Sequence, residues 1–124
     1  MDSGNLAINR AFFGNQNCLK IMLNANKECY MHWGKKENEK YKWYKIKFQD
    51  TELGQIYDVL DGKLPQVSFY HTFNGNKRQV WIKRVEGNGA AFFKIDEMTK
   101  SLSAGEIIVM KMLIVHIIVL MNLS

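Results

Sequence analysis

Aromatic rings and lysines alternate along several segments of this chain, at the two-residue spacing of an extended strand. In Tyr41-Lys42-Trp43-Tyr44-Lys45-Ile46-Lys47-Phe48, the odd positions hold Tyr41, Trp43, Lys45 and Lys47, and the even ones end in Tyr44, Ile46 and Phe48. Alternate side chains of a strand point to opposite faces. One face of this segment is therefore apolar core, and the other is rings beside cations. The same split recurs. Val80 and Ile82 oppose Gln79, Trp81 and Lys83; Ala91, Phe93 and Ile95 oppose Phe92 and Lys94; Cys29, Met31 and Trp33 oppose Tyr30 and His32. Lys20 adds a further cation to the outer set. Rings for base stacking, worth roughly 1–3 kcal/mol per base, and cations for phosphates are what single-stranded nucleic acid requires. The plainer alternative is a second apolar layer or a subunit interface built from cross-strand pairs. The interleaved lysines favour nucleic acid.

Other residue patterns suggest chemistry and fail on geometry. Cys29 and His32 have a Cys-x-x-His spacing, but on an extended strand they fall on opposite faces and cannot hold one zinc ion. Cys18 and Cys29 lack the Cys-x-x-Cys arrangement of a redox pair, and two cysteines are too few for a disulfide framework, which fits a reducing compartment. Gly87-Asn88-Gly89 leads into a strand and not a helix N-terminus, so it lacks the helix dipole of a phosphate loop. Asp50, Glu52, Asp58 and Asp61 lie along one predicted helix and read as its solvated face. His71, on the inward parity beside Phe69 and Phe73, reads as a packed, hydrogen-bonded histidine. No nucleophile–base constellation emerges. The expectation is a binding protein, not an enzyme, with no cofactor or metal.

These residues need strands to present them, and strand signals are frequent. Ala7–Phe13, Cys18–Leu23, Glu28–Gly34, Tyr41–Phe48, Val67–Phe73, Gln79–Val85 and Ala90–Ile95 read as strands. Asn74-Gly75 and Asn88-Gly89 are the strongest hairpin signals. Two helices are predicted. Asp50-Thr51-Glu52 opens one whose Leu53, Ile56, Val59 and Leu60 share a face, with Gly62 as its stop. Ser103 and Glu106 have capping-box spacing and open the other. The helix starts lie about 53 residues apart, which suggests an internal duplication, and hairpins followed by helices make the class α+β.

The chain has 124 residues, the length of one domain (1–124), with a first half of about 7–62 and a second of about 64–122. A content of 47% apolar and 23% charged residues excludes a disordered tail. Seventeen Lys and Arg against twelve Asp and Glu give +5, which suits an anionic partner. The N-terminus shows neither a secretory signal nor an Arg-rich transit peptide. Ile107 to Leu123 is nearly unbroken apolar sequence, yet it carries Lys111 and His116, which are costly in lipid. A helix apolar all round is buried by lipid or by protein. The expectation here is protein, at a homo-oligomer interface and not in a membrane.

Taken in order, Tyr41-Lys42-Trp43, Phe48, Glu52-Leu53-Gly54, Phe69-Tyr70-His71 and Gly87-Asn88-Gly89-Ala90-Ala91-Phe92-Phe93 resemble the Whirly family, within the single-stranded-DNA-binding transcriptional regulator superfamily. Leu102-Ser103-Ala104-Gly105-Glu106-Ile107-Ile108-Val109 and the apolar helix after it are similar to that family's last segment. The resemblance covers about residues 41–121. Near the place of the family's Lys-Gly-Lys-Ala-Ala-Leu pattern stands Asn17-Cys18-Leu19-Lys20-Ile21-Met22-Leu23, with Lys20 its one basic match. The resemblance implies a duplicated unit of four strands and a helix, two antiparallel sheets with helices packed at the centre, and a tetramer. It also implies sequence-tolerant binding of single-stranded DNA, with RNA as the nearest alternative ligand, in replication, recombination or repair. The setting would be cytoplasmic or nucleoid-associated, as for a prokaryotic or viral relative. The residues expected to bind are Lys20, Tyr30, Tyr41, Trp43, Lys45, Lys47, Trp81, Lys83, Phe92 and Lys94.

Overall fold

A computed structural model describes the backbone of residues 7–73 and 75–123. Four strands, β1 (Ile8–Phe13), β2 (Asn17–Leu23), β3 (Cys29–Glu37) and β4 (Lys40–Phe48), lead into helix α1 (Asp50–Leu60). Four more, β5 (Gln66–Phe73), β6 (Asn76–Arg84), β7 (Ala91–Ile95) and β8 (Met98–Leu102), lead into helix α2 (Ala104–Met121). Each set forms one antiparallel sheet in sequence order, β1-β2-β3-β4 and β5-β6-β7-β8. The architecture is α+β, in keeping with a duplicated sheet–helix unit.

The turns show why the strands end where they do. Between β3 and β4, Glu37 pairs with Lys40 and the two-residue link has both Asn38 (φ +49°) and Glu39 (φ +71°) in the left-handed region. That twist matches the flanking strands, but the sequence lacks the glycine that would have flagged it. Asn88-Gly89 belongs to a longer connection than expected. Arg84 pairs with Ala91, the Val85 N–H reaches the Ala90 carbonyl at 2.9 Å, and the loop is held by Asn88 Oδ1 accepting from the Ala90 N–H. The Asn74-Gly75 turn lies partly outside the described residues; Gly75 has φ +76°. β8 was not expected as a strand. Its inward parity runs Met98, Lys100, Leu102, and a lysine at the central inward position breaks the apolar alternation. Lys100 is buried and donates from Nζ to the Ser101 carbonyl at 2.7 Å.

The inner faces of both sheets share one core with the two helices. Leu19, Ile21, Met31, Trp33, Ile46 and Phe48 come from the first sheet, and Val80, Ile82, Phe93 and Ile95 from the second. Each large side chain buried this way contributes about 1.5–3 kcal/mol. Trp33 joins the sheets directly: its indole N–H donates to the Phe93 carbonyl at 3.1 Å, and its ring centroid lies 6.4 Å from that of Phe48.

The helices form an antiparallel pair tied at both ends. Lys111 Nζ meets Asp61 Oδ1 at 2.8 Å, and Asn122 Nδ2 meets Asp50 Oδ2 at 3.1 Å. Lys111 also lies 5.4 Å from the centroid of the Tyr57 ring. Hydrogen bonding to Lys111 holds the Asp61 carboxyl below its usual range. The acidic face of α1 is thus not merely solvated, as the sequence suggested. Asp50 and Asp61 bind α2, while Glu52 Oε1 accepts the Gln49 N–H at 2.8 Å and Glu52 Oε2 meets His71 Nε2 at 2.8 Å. His71 is packed on Phe48, as its inward parity predicts. The Ser103–Glu106 capping box forms at the start of α2, with contacts of 2.9 and 3.3 Å.

Candidate nucleic-acid interface

Strand register sets the outer faces as rows of neighbours. Across β2, β3 and β4 the rows are Cys18–Gly34–Trp43, Lys20–His32–Lys45 and Met22–Tyr30–Lys47. Trp43 lies flat because Gly34 has no side chain beneath it; a Cβ there would sit 2.5 Å from the ring. Lys20 Nζ caps the same ring at 4.4 Å from its centroid, and Tyr41 stacks on it at 5.4 Å with planes 22° apart. His32 approaches the ring edge-on at 6.3 Å. Burial, followed by the neighbouring Lys45 and Lys20 ammonium groups, pushes the His32 imidazolium pKa down to about 4. His32 is therefore neutral near pH 7, and the positive charge of this row sits on its two lysines.

The second sheet repeats the scheme with different residues. Its rows are Ser68–Trp81–Lys94–Thr99 and Gln66–Lys83–Phe92–Ser101. Lys94 Nζ lies 5.3 Å from the Trp81 centroid. A shallow hollow of about 310 Å³ opens here, lined by Gln66, Trp81, Lys83, Phe92, Lys94 and Thr99. An aromatic floor ringed by ammonium groups can take a flat, uncharged ring and the phosphate beside it.

The ten residues expected from the sequence all stand on outer faces, but in two clusters. Lys20, Tyr30, Tyr41, Trp43, Lys45 and Lys47 are on the first sheet; Trp81, Lys83, Phe92 and Lys94 are on the second. Lys47 is engaged by Glu28 at 2.7 Å, which raises the lysine and lowers the carboxylate, so a phosphate would have to displace that carboxylate. Sequence reasoning missed Tyr70, which is 60% exposed with Lys77 Nζ 4.5 Å above its ring. The signal was available, since Tyr70 alternates with the inward Phe69 and His71. It also missed Gly34, whose role depends on a cross-strand partner. Cys29 and His32 fall on opposite faces, one buried in the core and one beside Trp43, so they share no ligand.

Two antiparallel meanders of four strands, each closed by a helix, define an α+β fold with a repeated sheet–helix unit. A solved structure with a similar fold is that of MRP1/MRP2 from Trypanosoma brucei. It superposes with a TM-score of 0.69 at 10% sequence identity, covering 90% of this chain and 84% of that one. At that identity the likeness is one of fold alone. No protein-family model matches the sequence, and no curated protein matches it.

Proposed function

We propose that this chain is a Whirly-like protein that binds single-stranded DNA with little sequence preference and serves replication, recombination or repair. The observation that carries the reading is the set of lysine-capped rings on the outer faces: Trp43 under Lys20, Trp81 under Lys94 and Tyr70 under Lys77. Bases stack on the rings while phosphates exchange with the water around the ammonium groups. The duplicated sheet–helix architecture and the net charge of +5 support it. Titration with oligo-dT, duplex DNA and RNA of equal length tests it. Tightest binding to the single strands is expected, and equal or tighter binding to duplex would remove the stacking argument. RNA is the second ligand such a face accommodates, because neither stacking nor phosphate contact involves the 2′-hydroxyl. Competition between DNA and RNA at fixed salt separates the two.

Gly34→Ala provides a local check. The added methyl group must lift the Trp43 ring, so oligo-dT affinity is expected to fall by about as much as in Trp43→Ala, roughly 1–3 kcal/mol. Wild-type affinity in a correctly folded Gly34→Ala protein would take Trp43 out of the binding face.

The partner in this reading is a second copy of the chain, assembled in a tetramer. α2 is long and apolar enough to cross a membrane by length and composition, with a mean hydropathy of 2.2. It buries Ile107, Met110, Ile114 and Ile117 against its own chain and leaves Ile108, Met112, Val115 and Val119 exposed. Their spacing of four, three and four residues is that of a helix–helix seam, and Lys111 already has its counter-ion in Asp61. Light scattering at micromolar concentration without detergent is expected to give an oligomer mass. A detergent-dependent protein that partitions into membranes would instead mark α2 as an anchor.

A further inference from the structure

Beside the outer face of the second sheet the chain has a larger cleft, to which Lys83 and Phe92 alone of the ten expected residues contribute. It measures about 860 Å³ and lies between the α1–β5 connection, Gly62 to Pro65, and the end of β6 with the loop after it. Lys83 and Phe92 line both this cleft and the hollow beside Trp81, so the two spaces adjoin. The cleft brings in Lys63 and Arg84, against Glu86 as its acidic lining residue, and Pro65 and Phe92 are among its apolar lining. The connection is built to hold this shape. The Arg84 N–H donates to the Pro65 carbonyl at 3.1 Å, and the Lys63 and Leu64 N–H groups turn back to the Asp58 carbonyl at 2.9 and 3.2 Å. Gly62, at φ +88°, leaves room for the Arg84 guanidinium where any Cβ would collide with it.

We infer that this cleft is a second nucleotide subsite, into which a single strand continues after leaving the Trp81 platform. Its apolar walls at Pro65 and Phe92 suit a base, and Lys63 and Lys83 supply positive charge for the phosphates that flank it. Arg84, on the inward parity of β6, packs its guanidinium on Gly62. Phe92 is 41% exposed and faces both spaces, so it serves as the step between them. The subsite rests on the single-strand reading of the sheet and extends it, since it requires a ligand longer than the sheet face alone.

Lys63 is the residue to change, because it is exposed on the connection and lies outside the sheet-face set. Lys63→Ala and the unsubstituted protein would be titrated with oligo-dT of increasing length over a range of salt concentrations. For long oligonucleotides the substitution is expected to reduce the slope of log affinity against log salt by about 0.7, one phosphate contact. For those too short to leave the Trp81 platform, the two proteins are expected to bind alike. Identical slopes at every length, with binding intact, would overturn the subsite and leave the sheet-face reading standing. An unsubstituted protein that binds no oligonucleotide would overturn both. An equal loss at all lengths would mean that Lys63 acts as general charge, and would also overturn the subsite.

Discussion

Trp33→Ala is expected to destabilise the protein by roughly 3–5 kcal/mol, the range for truncating a large buried aromatic residue. Trp33 is fully buried, and its ring fills the space between the two sheets beside Phe48. Truncation removes the ring and the indole donor to the Phe93 carbonyl together, so it weakens the one side-chain bond described between the cores of β3 and β7. Trp33→Phe separates the two contributions. It keeps an aromatic ring and loses the N–H, and leaving a buried acceptor short of a donor costs about 1–3 kcal/mol. Domains of this kind have only about 5–15 kcal/mol in total, so the alanine variant is expected to unfold at markedly lower urea. Protein concentration must be held fixed, because the midpoint of any protein that self-associates depends on it. A loss under roughly 1 kcal/mol would mean that the sheets are held together elsewhere.

The strand faces were legible in the sequence because alternation is local. Trp43 with Lys45, and Trp81 with Lys83, declare their side of the sheet from neighbours two residues away, and both helices carry their stop or cap signals within one turn. What stayed hidden depends on residues far apart in the chain. Nothing within Met98–Leu102 shows that Lys100 points inward, because its burial is decided by the packing of one sheet near the other. Lys111 looked anomalous in an apolar helix until Asp61, fifty residues earlier, supplied its counter-ion. Gly34 looked like the end of a strand, whereas β3 runs on to Glu37 and Gly34 is the floor under Trp43. The cleft at Gly62–Pro65 was invisible for the same reason: its walls come from two connections that only folding brings together.

Trp81→Ala and Lys83→Ala should fail in different ways, and the difference reports what the second sheet does. Trp81 is partly exposed and supports Lys94 at 5.3 Å, so its ring is positioned for stacking and its loss leaves the sheet's core face untouched. The expected cost is roughly 1–3 kcal/mol of oligo-dT affinity with little change in salt dependence, because stacking releases no counterions. Lys83→Ala is expected instead to lower the slope of log affinity against log salt by about 0.7, with a loss that shrinks as salt rises. Tryptophan emission should be quenched on oligo-dT addition, and part of that quenching should vanish in Trp81→Ala. A subunit seam over the same face predicts another pattern: Trp81→Ala would dissociate the oligomer before it touched affinity, and Lys83→Ala would leave the salt slope unchanged. Measuring mass and salt slope on the same two variants decides between them. A protein of unchanged mass whose two variants lose affinity by these separate routes has its ligand, and not its partner, on the Trp81 face.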